Sequence, residues 1–208
     1  MDRLRRECPW DARQTHQSLA PYLLEESYET LDALESGDLA ALREELGDVL
    51  LQVVFHARVA AERDDGTGFT IDDVAGGIVD KLTRRHPHVF GDVTVSGAAE
   101  VIQNWDEIKA EERRAASGGP ASALDGVALG QPALSLAAQL RRRADRAGAP
   151  PGLAERLDRA DGVSEAGAAL FGLASAAAQE GLDPEMELRA AARAYRERIL
   201  QWERSRGG

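Results

Sequence analysis

The amino-acid sequence predicts an all-α protein built as two helical units. Three observations carry this. Ala, Leu, Arg and Glu dominate, and aromatic residues are only 5% of the 208, so strand-favouring side chains are scarce. Apolar residues recur at three- and four-residue spacings through the first half of the chain. Residues that start helices (Ser, Thr, Asp) and residues that stop them (Gly, Pro) fall between those periodic stretches. A hydrophobic fraction of 43% is enough for a real core and too high for a disordered chain, and the length allows one ordinary domain or two small ones.

Taken in order, residues 1–18, with Pro9 and Trp10, read as short and irregular. Leu19, Leu23, Leu24, Tyr28, Leu31 and Leu34 give a first long helix to about Glu35, stopped by Ser36-Gly37. Asp38 is placed to cap a second helix, which runs to about Arg63 and ends at Asp64-Asp65-Gly66-Thr67-Gly68. Thr70 with Asp73 forms a capping-box pattern for a third helix, Ile71 to Arg85, which His86-Pro87-His88 breaks. Residues 88–96 read as a loop, and Ser96 as the cap of a fourth helix over about Gly97 to Ala116. Ser117-Gly118-Gly119-Pro120 begins a linker, 117–122. The Ala- and Arg-rich remainder, with turns at Gly148–Gly152 and Gly181–Pro184, predicts three or four more helices. The domain reading is therefore 1–116, a linker, and 123–208.

The net charge is -11, from 36 acidic and 25 basic residues, which disfavours a protein that binds nucleic acid stably through phosphate contacts. One cysteine, Cys8, excludes an internal disulfide and fits a reducing compartment. The N-terminus lacks the apolar core of a signal peptide, and no stretch of about 18 apolar residues is present. The expectation is a cytoplasmic protein without a membrane span.

The first two long helices carry the most informative pattern. Glu25, Glu26 and Glu29 lie on one, Glu45 and Asp48 on the other. Residues three apart share a helix face, and the short turn at 36–38 makes the two helices antiparallel neighbours. Four carboxylates would then converge, which is what a hard divalent cation requires. The bland alternative is a solvated acidic face, the usual fate of such pairs. The second helix weighs against it. Leu42, Leu46, Val49, Leu50 and Val53 form its main apolar stripe, Leu51, Val54 and Phe55 fill much of the rest, and Glu45 and Asp48 share the remaining strip with Gln52. Such a helix is expected to be buried among others or at a dimer interface, where carboxylates need a partner or a metal. None of the four histidines follows a Glu by three, so a di-iron bundle does not fit, and zinc would want His or Cys. All-carboxylate ligation favours magnesium, with manganese as an alternative.

Lys81, Arg84 and Arg85 cluster at the end of the third helix. They complement the helix dipole, or they clamp the oxygens of a triphosphate. Lys109, four residues after Trp105, adds a further cation, and Trp105 reads either as core or as a base-stacking platform. His86 and His88 flank Pro87 and read as loop-fixing or substrate-adjacent.

Taken together, these segments resemble the MazG family of all-α nucleoside triphosphate pyrophosphohydrolases. The resemblance rests on Cys8-Pro9-Trp10-Asp11 with Gln14-Thr15-His16, on Leu24 to Glu29, on Glu45 to Val54, and on Lys81 to Phe90, followed by Trp105 to Lys109. It covers about residues 4 to 115 and contains the family's EExxE and ExxD patterns, separated by residues 30–44. It implies a MazG-like helical bundle acting as a homodimer. Glu26, Glu29, Glu45 and Asp48 would hold Mg²⁺, and Glu25 would be a further acid of the catalytic set. Lys81, Arg84, Arg85, Trp105 and Lys109 would bind the substrate. The implied reaction is attack of magnesium-activated water on the α-phosphorus of an NTP or dNTP, giving the monophosphate and pyrophosphate, in service of nucleotide-pool house-cleaning. Members of the family carry more residues before the CPWD segment, so an N-terminal helix is expected to be trimmed or lost here.

The second half resembles a degenerate copy of the same unit. Glu165 to Phe171 aligns with the ExxD helix, but Ala168 stands where the aspartate belongs. Over residues 153–164 only Glu155, Asp158 and Asp161 are acidic, so no EExxE precedes it. This half is expected to be structural. A dUTP- or phosphoribosyl-ATP-specific relative is disfavoured by the CPWD and HPHVF segments. A non-catalytic helical interaction protein that kept the scaffold is disfavoured by the intact carboxylates.

Overall fold

The computed structural model describes residues 1–117, 122–155, 157 and 162–206. Among them every regular element is helical, and the chain forms two compact units, Met1–Trp105 and Asp106–Gly208. The all-α expectation is met. Most of the segment read as a linker, residues 118–121, lies outside the described residues, as do Asp158 and Asp161.

The first unit is organised around a helical hairpin. Helix α1 (Asp2–Glu7) and a 3₁₀ turn (Asp11–Arg13) lead into α2 (His16–Ser36). Thr15 opens α2 through a reciprocal capping box with Ser18, each backbone N–H donating to the other's hydroxyl, at 3.2 and 2.8 Å. Gly37 ends α2 with a left-handed φ of +71°, a conformation that costs glycine nothing. Asp38 then starts α3 (Leu39–Ala60), its carboxylate accepting from the Ala40 and Ala41 N–H groups at 2.9 and 3.1 Å. A turn this short leaves α3 no course except back along α2, and the two pack along their length. The core between them is small: Leu19, Ala33, Phe55, Ala57 and Ala60.

Helix α4 (Ile71–Arg85) starts with the Thr70–Asp73 capping box that the sequence predicts. The expectation of a loop from residue 88 needs correction. Pro87 breaks α4 but sits at the start of a one-turn helix, α5 (Pro87–Phe90), a position where its missing N–H costs nothing. Helix α6 (Ala98–Ser117) follows, with the Glu100 carboxylate accepting from the Ser96 N–H and hydroxyl, each at 2.7 Å.

Residues 1–18 are likewise more ordered than expected. Asp2 lies in the first turn of α1 and Arg5 and Arg6 in its last, in keeping with the dipole. Ion pairs hold it: Arg5 donates to Glu62, just past the end of α3, and Arg58 of α3 donates to Asp2.

The expected burial of α3 is also corrected within the single chain. Gln52, Phe55, Ala57 and Ala60 are buried, but Leu46, Leu50, Leu51 and Val53 are exposed, Leu50 by 60%. The main helical neighbours of α3 are α2 and, to a lesser extent, α4, and these apolar side chains stay exposed.

The second unit contains α7 (Ala133–Arg146), α8 (Gly152–Glu155), α9 (Glu165–Gln179) and α10 (Pro184–Arg206). Its buried side chains are mostly alanines, Ala137, Ala138, Ala174 and Ala178, which let α7 and α9 approach closely. Arg141 is buried beside them and makes a two-point pair with Asp145, both bonds at 2.9 Å. Among the described residues no helix is long and apolar enough to cross a membrane.

Candidate metal centre

The hairpin turn sets the register of the carboxylates. Glu29 precedes Gly37 by eight residues and Glu45 follows Asp38 by seven, so the two face each other across the α2–α3 seam. Glu26 lies one turn back on the same face of α2. One oxygen from each of Glu26, Glu29 and Glu45 falls within 4.8 Å of the others, the only such group of three metal-ligating side chains among the described residues. Glu26 and Glu45 are half-buried and Glu29 is exposed.

The electrostatics of this group point to a cation. The Glu26 carboxyl is pushed above the usual carboxylate range, first by partial removal from water and then by repulsion from Asp48, Glu29, Glu25 and Glu45. Glu45 moves the same way, first by desolvation and then by Glu29, Asp48 and Glu44. Every charged group acting on these two acids is another carboxylate. Among the described residues no cation is among the groups acting on them, and a hard divalent ion with several oxygen ligands would neutralise the charge. The donor set, oxygen only and mostly anionic, fits magnesium or manganese and offers nothing to a softer metal.

Of the predicted site residues, Glu26, Glu29 and Glu45 come together. Asp48 lies outside that trio, yet it repels both Glu26 and Glu45 and so belongs to the same acidic well. Glu25 is exposed and bears on Glu26. Lys81 and Arg84 are exposed and Arg85 is half-buried, all on the last turns of α4. None of them is among the groups acting on Glu26 or Glu45. Trp105 is half-buried on α6, its ring 5.4 Å from that of His86. Lys109 lies one turn further along α6, in the second compact unit. His86 is loop-fixing in fact: its Nδ1 bonds the Leu82 carbonyl at 2.7 Å across the end of α4.

Sequence reasoning missed two features of the same seam. Gln52, one turn after Asp48, is 5% exposed and its Oε1 is buried without a hydrogen-bond partner. Further along, His56 bonds His16. The signal was present in the spacing 45, 48, 52, 56, a single stripe along one face of α3.

In the second unit, α9 starts at Glu165, capped by Ser164, so Glu165 sits in the first turn and Ala168 one turn on. Among the described residues that unit holds no group of three ligating side chains.

Comparison with known proteins gives the chain its relatives. The family model of the MazG nucleotide pyrophosphohydrolase domain matches residues 14–90. The nucleoside triphosphate pyrophosphohydrolase/pyrophosphatase MazG of Thermotoga maritima is 37% identical over 211 residues, covering 94% of this chain and 79% of its own. An uncharacterized 26.1 kDa protein of Streptomyces cacaoi is 51% identical over 199 residues, covering 96% of this chain and 78% of its own. The nucleoside triphosphate pyrophosphohydrolase of Escherichia coli K12 is 46% identical over 141 residues, 68% of this chain. The alignment takes in 52% of that longer protein, about half its length.

Proposed function

Because this chain belongs to the MazG family, we propose that it is a nucleoside triphosphate pyrophosphohydrolase, converting an NTP or dNTP and water to the monophosphate and pyrophosphate. The observation that carries this is the trio Glu26, Glu29 and Glu45, whose unneutralised charge sits within the matched segment. In the reaction the water oxygen bonds to the α-phosphorus, and the bond from that phosphorus to the bridging oxygen breaks, with pyrophosphate as leaving group.

Glu26, Glu29 and Glu45 would hold magnesium, with Asp48 beside them completing the charge. A magnesium ion bound there supplies charge neutralisation for the phosphates and lowers the pKa of water. The chain's own work is positional. The Gly37–Asp38 turn fixes the carboxylates opposite one another, and α2 and α3 are rigid helices. Glu25, exposed and acting on Glu26, is proposed to accept the proton lost by the attacking water. Lys81, Arg84 and Arg85 would bind phosphate oxygens, the Arg forks in two-point contacts.

The working molecule is proposed to be a homodimer. The apolar flanks that α3 leaves exposed, together with Ile71, Val74, Ile78 and Leu82 on α4, support this. The second half is proposed to be a degenerate repeat without catalysis of its own, supported by the alanine at position 168.

The test is pyrophosphate release from a panel of NTPs and dNTPs, with and without Mg²⁺, by the native protein and by Glu45→Ala. Magnesium-dependent release is expected, with the substitution lowering it by more than the 10–100-fold typical of losing a residue that merely supports a metal ligand, so beyond about a hundredfold. Full activity in Glu45→Ala would overturn the site, and no release from any nucleotide by folded protein would make the non-catalytic scaffold the better reading.

A further inference from the structure

At the end of the α2–α3 hairpin remote from the Gly37 turn, the first residue of α2 meets the last third of α3. The His16 and His56 Nδ1 atoms are 2.8 Å apart, and the two rings lie parallel with centroids separated by 5.1 Å. A nitrogen pair at this distance tolerates one proton count only. With no proton on the axis, lone pair faces lone pair; with two, N–H faces N–H; with one, a hydrogen bond forms. The neutral pair meets this condition through complementary tautomers. The singly charged pair meets it too, with one imidazolium donating to one imidazole. The doubly charged pair does not.

The surroundings decide which ring takes the charge. His56 Nε2 is buried without a partner, so an imidazolium at His56 would bury both a charge and an unsatisfied N–H. Burial first, and His16 second, hold the His56 ring below the usual histidine range. His16, the other ring of the pair, is half-buried at the start of α2. Charged groups at this end include Asp2 and Arg5 of α1, Asp11 and Arg13 of the 3₁₀ turn, Arg58 of α3 and Glu62 just past its end. Asp2, Arg5, Arg58 and Glu62 pair among themselves, and Arg5 also donates to the Asp11 backbone carbonyl. His16 is the ionisable group that acts on His56. Among the described residues, no carboxylate is among the groups that act on His56.

We propose that the His16–His56 pair is a proton-operated latch. It pins the first turn of α2 to α3 while the pair carries no more than one extra proton, and releases it when both rings are charged. The release is local. Leu19, 1% exposed, and the Trp10 ring against Tyr22 and Phe55 hold the next turn in place. The latch does not depend on the carboxylate cluster or on the proposed activity, because neither histidine adjoins it.

The test uses the full ¹⁵N-labelled chain, following the histidine ring nitrogens and the amide-exchange protection of residues 17–20 by NMR as the pH falls. The expected result is a coupled titration. The second proton binds more than about one pH unit below the first, and protection of the first turn of α2 falls about tenfold through that second step only. In His16→Gln, His56 titrates in a single step and the second-step loss of protection disappears. Independent titration of the two rings in the native chain, or protection that stays flat through both steps, overturns the latch. The native chain gives both readouts, so a poorly folding variant leaves the decision intact.

Discussion

At the scale of the residue, the acidic well makes opposite predictions for the protein with and without metal. Glu26 is raised above its unfolded value by desolvation and by its carboxylate neighbours. A group so shifted favours the fold below its unfolded pKa, and that contribution is lost as pH rises through the folded value. At neutral pH the well therefore opposes folding, and acidification relieves the strain. Glu26→Gln is expected to raise the melting temperature of the metal-free protein at pH 7, and the gain should shrink as pH falls through the carboxylate range. The same substitution should weaken the stabilisation by Mg²⁺, which for a ligand at a hundred times its Kd is worth about 2.7 kcal/mol. Calorimetry with EDTA and with magnesium reads both signs. A variant that loses stability in EDTA would mean that Glu26 is held by protein contacts instead of being poised for a cation. The trio was legible in the sequence because helical spacing and a short turn suffice to bring Glu26, Glu29 and Glu45 together. The place of Asp48 beside the trio instead of within it was not, because it depends on how the two helices cross. The His16–His56 contact was harder to read: the α3 stripe puts His56 on the seam, but its partner lies 40 residues away.

At the scale of the element, helix ends with local chemistry were readable and those held by distant groups were not. Gly37, Asp38, Thr70 and Asp73 act on their own neighbours, so the ends of α2, α3 and α4 follow from a few adjacent residues. The short helix α1 escaped notice because Glu62 and Arg58, far along the chain, hold it. Helix α5 escaped because Pro87 both breaks one helix and begins the next. Asp38 is the element-scale test of the site, since it satisfies two N–H groups of α3 at the turn that sets the carboxylate register. Asp38→Ala is expected to cost about 1 kcal/mol in urea denaturation, and Asp38→Gly only a few tenths. If the turn also sets metal geometry, Asp38→Ala should weaken Mg²⁺ binding without touching a ligand. Equal stability of Asp38→Ala and the native chain would remove the cap from the account.

At the scale of the whole molecule, the first unit leaves more apolar surface uncovered than its own core explains. Ile71, Val74, Ile78 and Leu82 recur along one stripe of α4, and each is between 36% and 45% exposed. Leu46 and Leu50 add to this from α3. Isolated exposed leucines need no explanation, but a periodic stripe on an amphipathic helix does. The sequence marked α3 as a helix that should be buried all round, and the single chain does not bury it. The proposed second copy would account for both facts, since a stable interface needs on the order of 1,200–2,000 Å² and therefore more than one helix face. The charge of -11 gives two copies a mutual repulsion that an apolar interface must overcome, so association should strengthen with salt. Ile78→Asp places a charge in the middle of the α4 stripe, where the chain itself covers the side chain little. It is expected to shift the sedimenting species from dimer to monomer while leaving the helical circular dichroism unchanged. A native chain that sediments as a monomer at every salt concentration would remove the dimer. A dimer untouched by Ile78→Asp would move the interface off α4, and Leu50→Asp would then test the exposed flank of α3 in the same way.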